Sequence, residues 1–138
     1  MKYFVDSLWI AFGAALGANA RYWIGFFARS AQQSFPWPTL LINLVGSFVL
    51  GLFTAYALIK GWGGNARLFV AVGLCGGFTT FSTFSHETLD LYFEKSWKPA
   101  LLYAVLSVVL CVGGCLMGGH LGRLMAGSQG QAHVPPGA

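Results

Sequence analysis

Four long apolar stretches separated by short polar joints make up most of the chain: Leu8 to Phe27, Thr39 to Ile59, Leu68 to Phe93 and Ala100 to Leu124. Each is about 20 residues or a little longer, and at about 1.5 Å of rise per residue such a helix crosses a hydrocarbon core of about 30 Å. The pattern predicts an all-α integral membrane protein with four transmembrane helices. The joints, near Ser30 to Pro38, Lys60 to Arg67 and Glu94 to Pro99, are too short to fold alone, so residues 1–126 are expected to form a single domain. Residues 127–138, rich in Gly, Gln and Pro, are expected to be a disordered tail. The first stretch is too long for a cleaved signal peptide, starts with little positive charge and is followed by three further spans.

The third stretch breaks the apolar pattern. From Gly76 to Glu87 it carries five hydroxyls, a histidine and a carboxylate. Each such group costs energy in hydrocarbon unless protein or water satisfies it, so lipid solubility alone does not explain them. Residues 78–86 read as three triplets, and on an α-helix a step of three residues turns by about 300°. Phe78, Phe81 and Phe84 therefore form one drifting stripe, Thr79, Ser82 and Ser85 a second, and Thr80, Thr83 and His86 a third. Hydroxyls bonding back to the carbonyl four residues earlier account for two or three of these, not for the set. The Gly76-Gly77 pair, ahead of β-branched Thr79 and Thr80, weakens helical propensity near mid-span. Two readings follow: packing glycines in an unbroken helix, or a break that exposes carbonyls to a cation or amides to an anion.

The other spans add few polar groups. Arg21 sits late in the first, where an arginine commonly snorkels to the headgroups. Asn43 lies about one turn into the second with Ser47 on the same face, and Tyr103 and Ser107 share a face of the fourth. Asparagine can serve as interhelical glue. Together these residues offer a positive charge, amide and hydroxyl donors, and phenyl edges with partial positive charge, all suited to a small anion. Small residues recur four apart at Gly13 and Gly17, at Gly73 and Gly77, and at Gly114, Gly118 and Gly122, a spacing that lets helix backbones approach closely.

Composition agrees with the spans, since 9% of residues are charged where a soluble domain has about 25%. The net charge of +4 is scattered over the joints, so no basic patch and no nucleic-acid partner is indicated. Four connected spans put Lys2, Lys60, Arg67 and Arg123 on one side and Arg21, Arg29, Lys95 and Lys98 on the other. The positive-inside rule then gives no preferred orientation, which reads either as a weak bias or as insertion both ways. Four helices alone have difficulty enclosing a polar path. A homo-oligomer is the natural remedy, and equal charge permits an antiparallel two-fold pair. Cys75, Cys111 and Cys115 lack paired spacing and are read as packing residues. The acids Asp6, Glu87, Asp90 and Glu94 and the histidines His86, His120 and His133 make no catalytic pair, triad or metal cluster, so the chain is not read as an enzyme.

Three segments now combine: Gly17-Ala18-Asn19-Ala20-Arg21-Tyr22, Thr39-Leu40-Leu41-Ile42-Asn43-Leu44-Val45-Gly46-Ser47, and Gly76-Gly77-Phe78-Thr79-Thr80-Phe81-Ser82-Thr83-Phe84. On them the chain, from about Ile10 to Gly122, resembles the fluoride ion channels of the Fluc family, also called CrcB. Pro38 stands where that family often has glycine. The resemblance implies a passive fluoride exporter of the inner (cytoplasmic) membrane, relieving fluoride toxicity. It also implies an antiparallel, dual-topology homodimer in lipid with two pores, and a third helix broken near its middle. A structural Na+ at the dimer centre would be held by backbone carbonyls of Gly76 and Thr79. Along the fluoride path the resemblance puts Phe81 and Phe84 as ring edges, Asn43 as amide donor, Ser82 and Thr83 as hydroxyl donors, and Tyr103 and Ser107 from the fourth helix. Arg21 would set the potential of a vestibule and Glu87 would stand near the far end. The alternative is a small four-helix proton-coupled multidrug or cation exporter, which needs a carboxylate in its first helix. Here the first span has none past Asp6, and Arg21 would repel a cation. A structural subunit without conduction would not need the hydroxyl stripes.

Overall fold

The computed structural model describes residues 1–28 and 35–128, and every regular element among them is a helix. Helix α1 spans Lys2–Ala28 and α2 spans Trp37–Lys60. Helix α3 covers 64–78: an α turn at Gly64–Arg67, a π-helix over Leu68–Cys75, and a last α turn at Gly76–Phe78. Helix α4 spans Phe81–Glu94 and α5 spans Trp97–Ser128. Three of the expected apolar stretches lie inside α1, α2 and α5, and the remaining one, Leu68 to Phe93, runs through both α3 and α4. Because α5 runs to Ser128, Gly127 and Ser128 continue the helix and do not open the tail as expected. The rest of that tail, His133 within it, lies outside the described residues, as does Arg29.

Among the described residues, three segments are long and apolar enough to cross a membrane: Trp37–Lys60, Gly64–Glu94 and Trp97–Gly127. At 27 residues α1 is long enough, but Asn19 and Arg21 dilute its apolar character. Its surface nevertheless exposes Phe4, Trp9, Phe12, Trp23 and Phe27, and α5 exposes Val108, Val109, Leu116 and Met117. Large apolar side chains presented on several helices are what a lipid solvent permits and water penalises.

The helices pack as two pairs closed by glycine. Where α1 crosses α3, a Cβ added at Gly73 would lie 2.7 Å from the Ile10 carbonyl, and one at Gly77 would lie 2.6 Å from that of Ala14. Gly13 and Gly17 approach the Phe69 and Leu74 carbonyls more closely still. Where α2 crosses α5, Gly51 meets the Cys115 carbonyl, Gly118 that of Phe48 and Gly122 that of Leu52. The four-residue spacing is thus spent within the subunit. Van der Waals contact between backbones replaces the hydrophobic driving force that lipid removes. Helix α4 joins through a small core of Leu40, Leu91, Ala100 and Tyr103, flanked by Phe35 and Phe84.

Between α2 and α3, Gly61 takes φ 64° and ψ 30°, a left-handed turn that glycine adopts without a Cβ clash. The Trp62 N–H then returns to the Ala57 carbonyl at 3.0 Å. The interruption between α3 and α4 falls at Thr79 (φ −76°, ψ 161°) and Thr80 (φ −151°, ψ 113°). It comes just after the glycine pair, which remains helical. Gly77 is needed for its approach to Ala14, whereas β-branched threonines suit extended backbone.

Candidate functional site

The interruption is held open by side chains. Asn43 on α2 clasps Thr80: its Oδ1 accepts from the Thr80 N–H at 2.8 Å, and its Nδ2 donates to the Thr80 carbonyl at 3.1 Å. The Thr80 hydroxyl caps α4 by accepting from the Thr83 N–H at 3.2 Å, and it also reaches the Thr83 hydroxyl at 3.0 Å and Ser82 Oγ at 3.3 Å. In an unbroken α-helix the Thr80 and Thr83 amides would close onto the carbonyls of Gly76 and Thr79. Both amides are engaged elsewhere, so both carbonyls lose their helical donors. Carbonyl oxygen is a hard ligand, so these two residues fit a hard cation such as Na+. Among the described residues no group of three His, Cys, Asp or Glu offers a rival site.

Arg21 reaches across from α1, its Nε donating to the Gly77 carbonyl at 3.2 Å. That carbonyl belongs to the last turn of α3, where a positive charge meets the negative end of the helix dipole. Glu87 receives two hydroxyls, from Thr39 at 2.8 Å and from Tyr103 at 2.7 Å. Tyr103 is fully buried and packs between Phe35 and Phe84, with ring centroids at 5.4 and 5.3 Å. His86 Nδ1 and Asp90 Oδ2 pair at 2.8 Å on the exposed face of α4.

Two cavities flank this framework and share Thr80 as a wall. The larger, an open cleft of about 680 Å³, is lined by Arg21, Thr39, Thr83 and Glu87. Asp90, Glu94 and Lys95 also line it, so its charge is mixed where a positive vestibule was expected. The smaller, about 340 Å³, gathers Asn43, Phe81, Phe84 and Ser107 with Gly76 and Thr79. Ser107 is 5% exposed and its buried hydroxyl has no partner among the described residues. Such an oxygen costs energy unless a ligand or water meets it. The Phe81 and Phe84 rings lie 5.4 Å apart.

Of the residues singled out in sequence, Asn43, Phe81, Phe84, Ser107, Gly76 and Thr79 meet at the smaller cavity, and Arg21, Thr83 and Glu87 meet at the larger. Ser82 is exposed and lines neither; Tyr103 is in the core and acts through Glu87. Two hydroxyls of the run, Thr79 and Ser85, simply bond back to the carbonyls of Cys75 and Phe81. Sequence reasoning missed Thr80 as the keystone and Thr39 as the donor to Glu87. A hydroxyl residue three ahead of Thr83 at a helix start was the available signal for Thr80. Nothing local marks Thr39.

The description CrcB-like protein, Camphor Resistance (CrcB), belongs to a family model that matches residues 8–119. A protein of Methylocella silvestris named fluoride-specific ion channel FluC is 48% identical over 112 residues, covering 78% of this chain and 86% of that protein. Proteins of the same name from Gluconobacter oxydans and Thermus thermophilus are each 44% identical, over 83% and 87% of this chain and 83% and 97% of their own lengths. With a family model spanning most of its length and relatives this similar over nearly their full lengths, the chain belongs to the CrcB family.

Proposed function

We propose that this protein is a fluoride channel of the cell membrane, a passive conductor and not an enzyme, through which F− leaves the cytoplasm down its gradient. The observation that carries the reading is the smaller cavity, where two phenyl rings, an amide and a buried hydroxyl without a partner converge. Similar proteins named fluoride-specific ion channel support the ion's identity.

Fluoride is small and strongly hydrated, so a path must replace water with close donors and still release the ion. Ser107 and Thr83 offer hydroxyls, and Asn43 keeps one amide hydrogen beyond the one it gives to Thr80. Phe81 and Phe84 offer ring edges, whose partial positive charge attracts an anion weakly. No charged side chain lines the smaller cavity, so no ion pair traps the ion there. Arg21 sets a positive charge in the wall of the larger cleft, among carboxylates that include Glu87, held by Thr39 and Tyr103.

The working unit in this proposal is an antiparallel homodimer of four-span subunits, residues 1–126 forming the channel domain and α1 crossing the bilayer with the other three. Phe81 is 78% exposed in the single subunit, and a Cβ at Gly76 would meet nothing within 4 Å. This leaves room for a second copy beside the interruption. Gly76 and Thr79 of both copies would hold Na+, which supplies fixed positive charge where four carbonyls converge. The balance of basic residues between the two sides supports insertion in both orientations.

Purified protein in liposomes is expected to release loaded fluoride and retain chloride; no fluoride efflux at high protein density would refute the channel. A C-terminal tag is expected to be reached by a membrane-impermeant protease from both sides in cells, and cleavage from one side alone would refute dual topology.

A further inference from the structure

On the reading of the smaller cavity as the ion path, a second chemistry opens onto the same space. Two thiols line it from different helices, Cys75 on α3 and Cys111 on α5, and both are free. Cys75 is 3% exposed, and Cys111 is half-buried one turn beyond Ser107 on the same face. Ser47 on α2 lines the same cavity. The buried Ser107 hydroxyl, without a partner among the described residues, leaves unmet coordination beside the sulfurs. Cys115 lines neither cavity.

Sulfur is a soft ligand that selects soft d10 cations over Na+ or Mg2+. A monovalent d10 ion is satisfied by two sulfur ligands, so the absence of a larger ligand cluster here is no obstacle. The cavity lining carries no charged side chain, and Arg21 belongs to the other cleft, so the positive charge that faces such an ion is the Na+ proposed at Gly76 and Thr79, which the two thiolates formed on binding offset. We propose that the smaller cavity binds a soft monovalent metal cation of the Ag+ or Cu+ class through Cys75 and Cys111, with Ser107 alongside, and that the bound ion closes the anion path. Each ligating thiol exchanges its proton for the metal and releases that proton to water, with no change of oxidation state. Block follows because the ion occupies the space between the donors that fluoride must use.

The test uses the full chain in liposomes, in chloride-free buffer so that silver stays dissolved, with silver nitrate added. Each variant is read against its own metal-free efflux. Wild type and Cys115→Ser are expected to lose efflux about tenfold, and the Cys75→Ser/Cys111→Ser double variant to keep its rate. Native mass spectrometry of the detergent-purified chain is expected to find one silver ion fewer on the double variant than on Cys115→Ser. Block that persists in the double variant, or bound silver unchanged in it, overturns the proposal. Should the double variant fail to conduct without metal, the silver count and the single variant Cys111→Ala decide. Absence of efflux from metal-free wild type would strike the channel reading alone, since the silver count still judges the site.

Discussion

Asn43 shows how one side chain can set backbone structure in a neighbouring helix. It takes the Thr80 amide from its helical partner and so keeps the Gly76 carbonyl free. In Asn43→Ala, Thr80 either loses two part-buried hydrogen bonds, at about 0.5–1.5 kcal/mol each, or closes onto Gly76 and mends the helix. Either outcome is expected to lower fluoride efflux at least about tenfold, about 1.4 kcal/mol of barrier. Asn43→Asp keeps the bond from the Thr80 N–H but adds negative charge to an anion path; it is expected to stop efflux while melting at a higher temperature in detergent than the alanine variant. Efflux of either variant at the wild-type rate would remove Asn43 from the mechanism. The importance of Asn43 was legible as an isolated amide in an apolar span. Its partner was not, because Thr80 lies 37 residues away and only the crossing of α2 with the interruption joins them. Arg21 is similar: snorkelling is a sound expectation for an arginine near a helix end, yet its Nε is drawn inward by the Gly77 carbonyl, 56 residues on.

Among the elements, the length of the apolar stretches located every long helix because lipid demands long continuous apolar segments. It could not place the helix break to the turn. Glycine lowers helix propensity, but Gly77 sits where a Cβ would strike Ala14, so close packing keeps it helical and the threonines beyond it bend. Nor did the sequence announce the π-helix over Leu68–Cys75, whose apolar composition is equally compatible with α-helix. The glycine seams give a sharp contrast in stability. Gly118→Leu places a side chain against the Phe48 carbonyl and is expected to cost at least about 1–3 kcal/mol, whereas Gly25, with nothing within 4 Å, accepts alanine with a gain of about 0.5–1 kcal/mol. Thermal unfolding in detergent checks both. Equal effects of the two substitutions would mean that the α2–α5 seam does not hold the subunit.

At the scale of the whole molecule, the surface near the interruption is where the subunit is least finished. Gly76 has open space beside it and Phe81 stands exposed. Gly76→Trp is therefore expected to leave the subunit folded while converting the proposed dimer to monomer, read as photobleaching steps of labelled protein in liposomes. A dimer that survives this change has its interface elsewhere. The pairing of helices carries a further consequence, for synthesis. Helix α1 is zipped to α3 and α2 to α5, so the partners interleave along the chain and no two consecutive long helices form a closed seam. As the chain emerges, α1 must wait in the bilayer with its glycine face bare until α3 arrives, and α2 must wait until the last helix is made. The subunit cannot be assembled as successive hairpins; its two seams close late, and a chain truncated before α5 leaves Gly51 and the Phe48 and Leu52 carbonyls of α2 without the backbone they pack against.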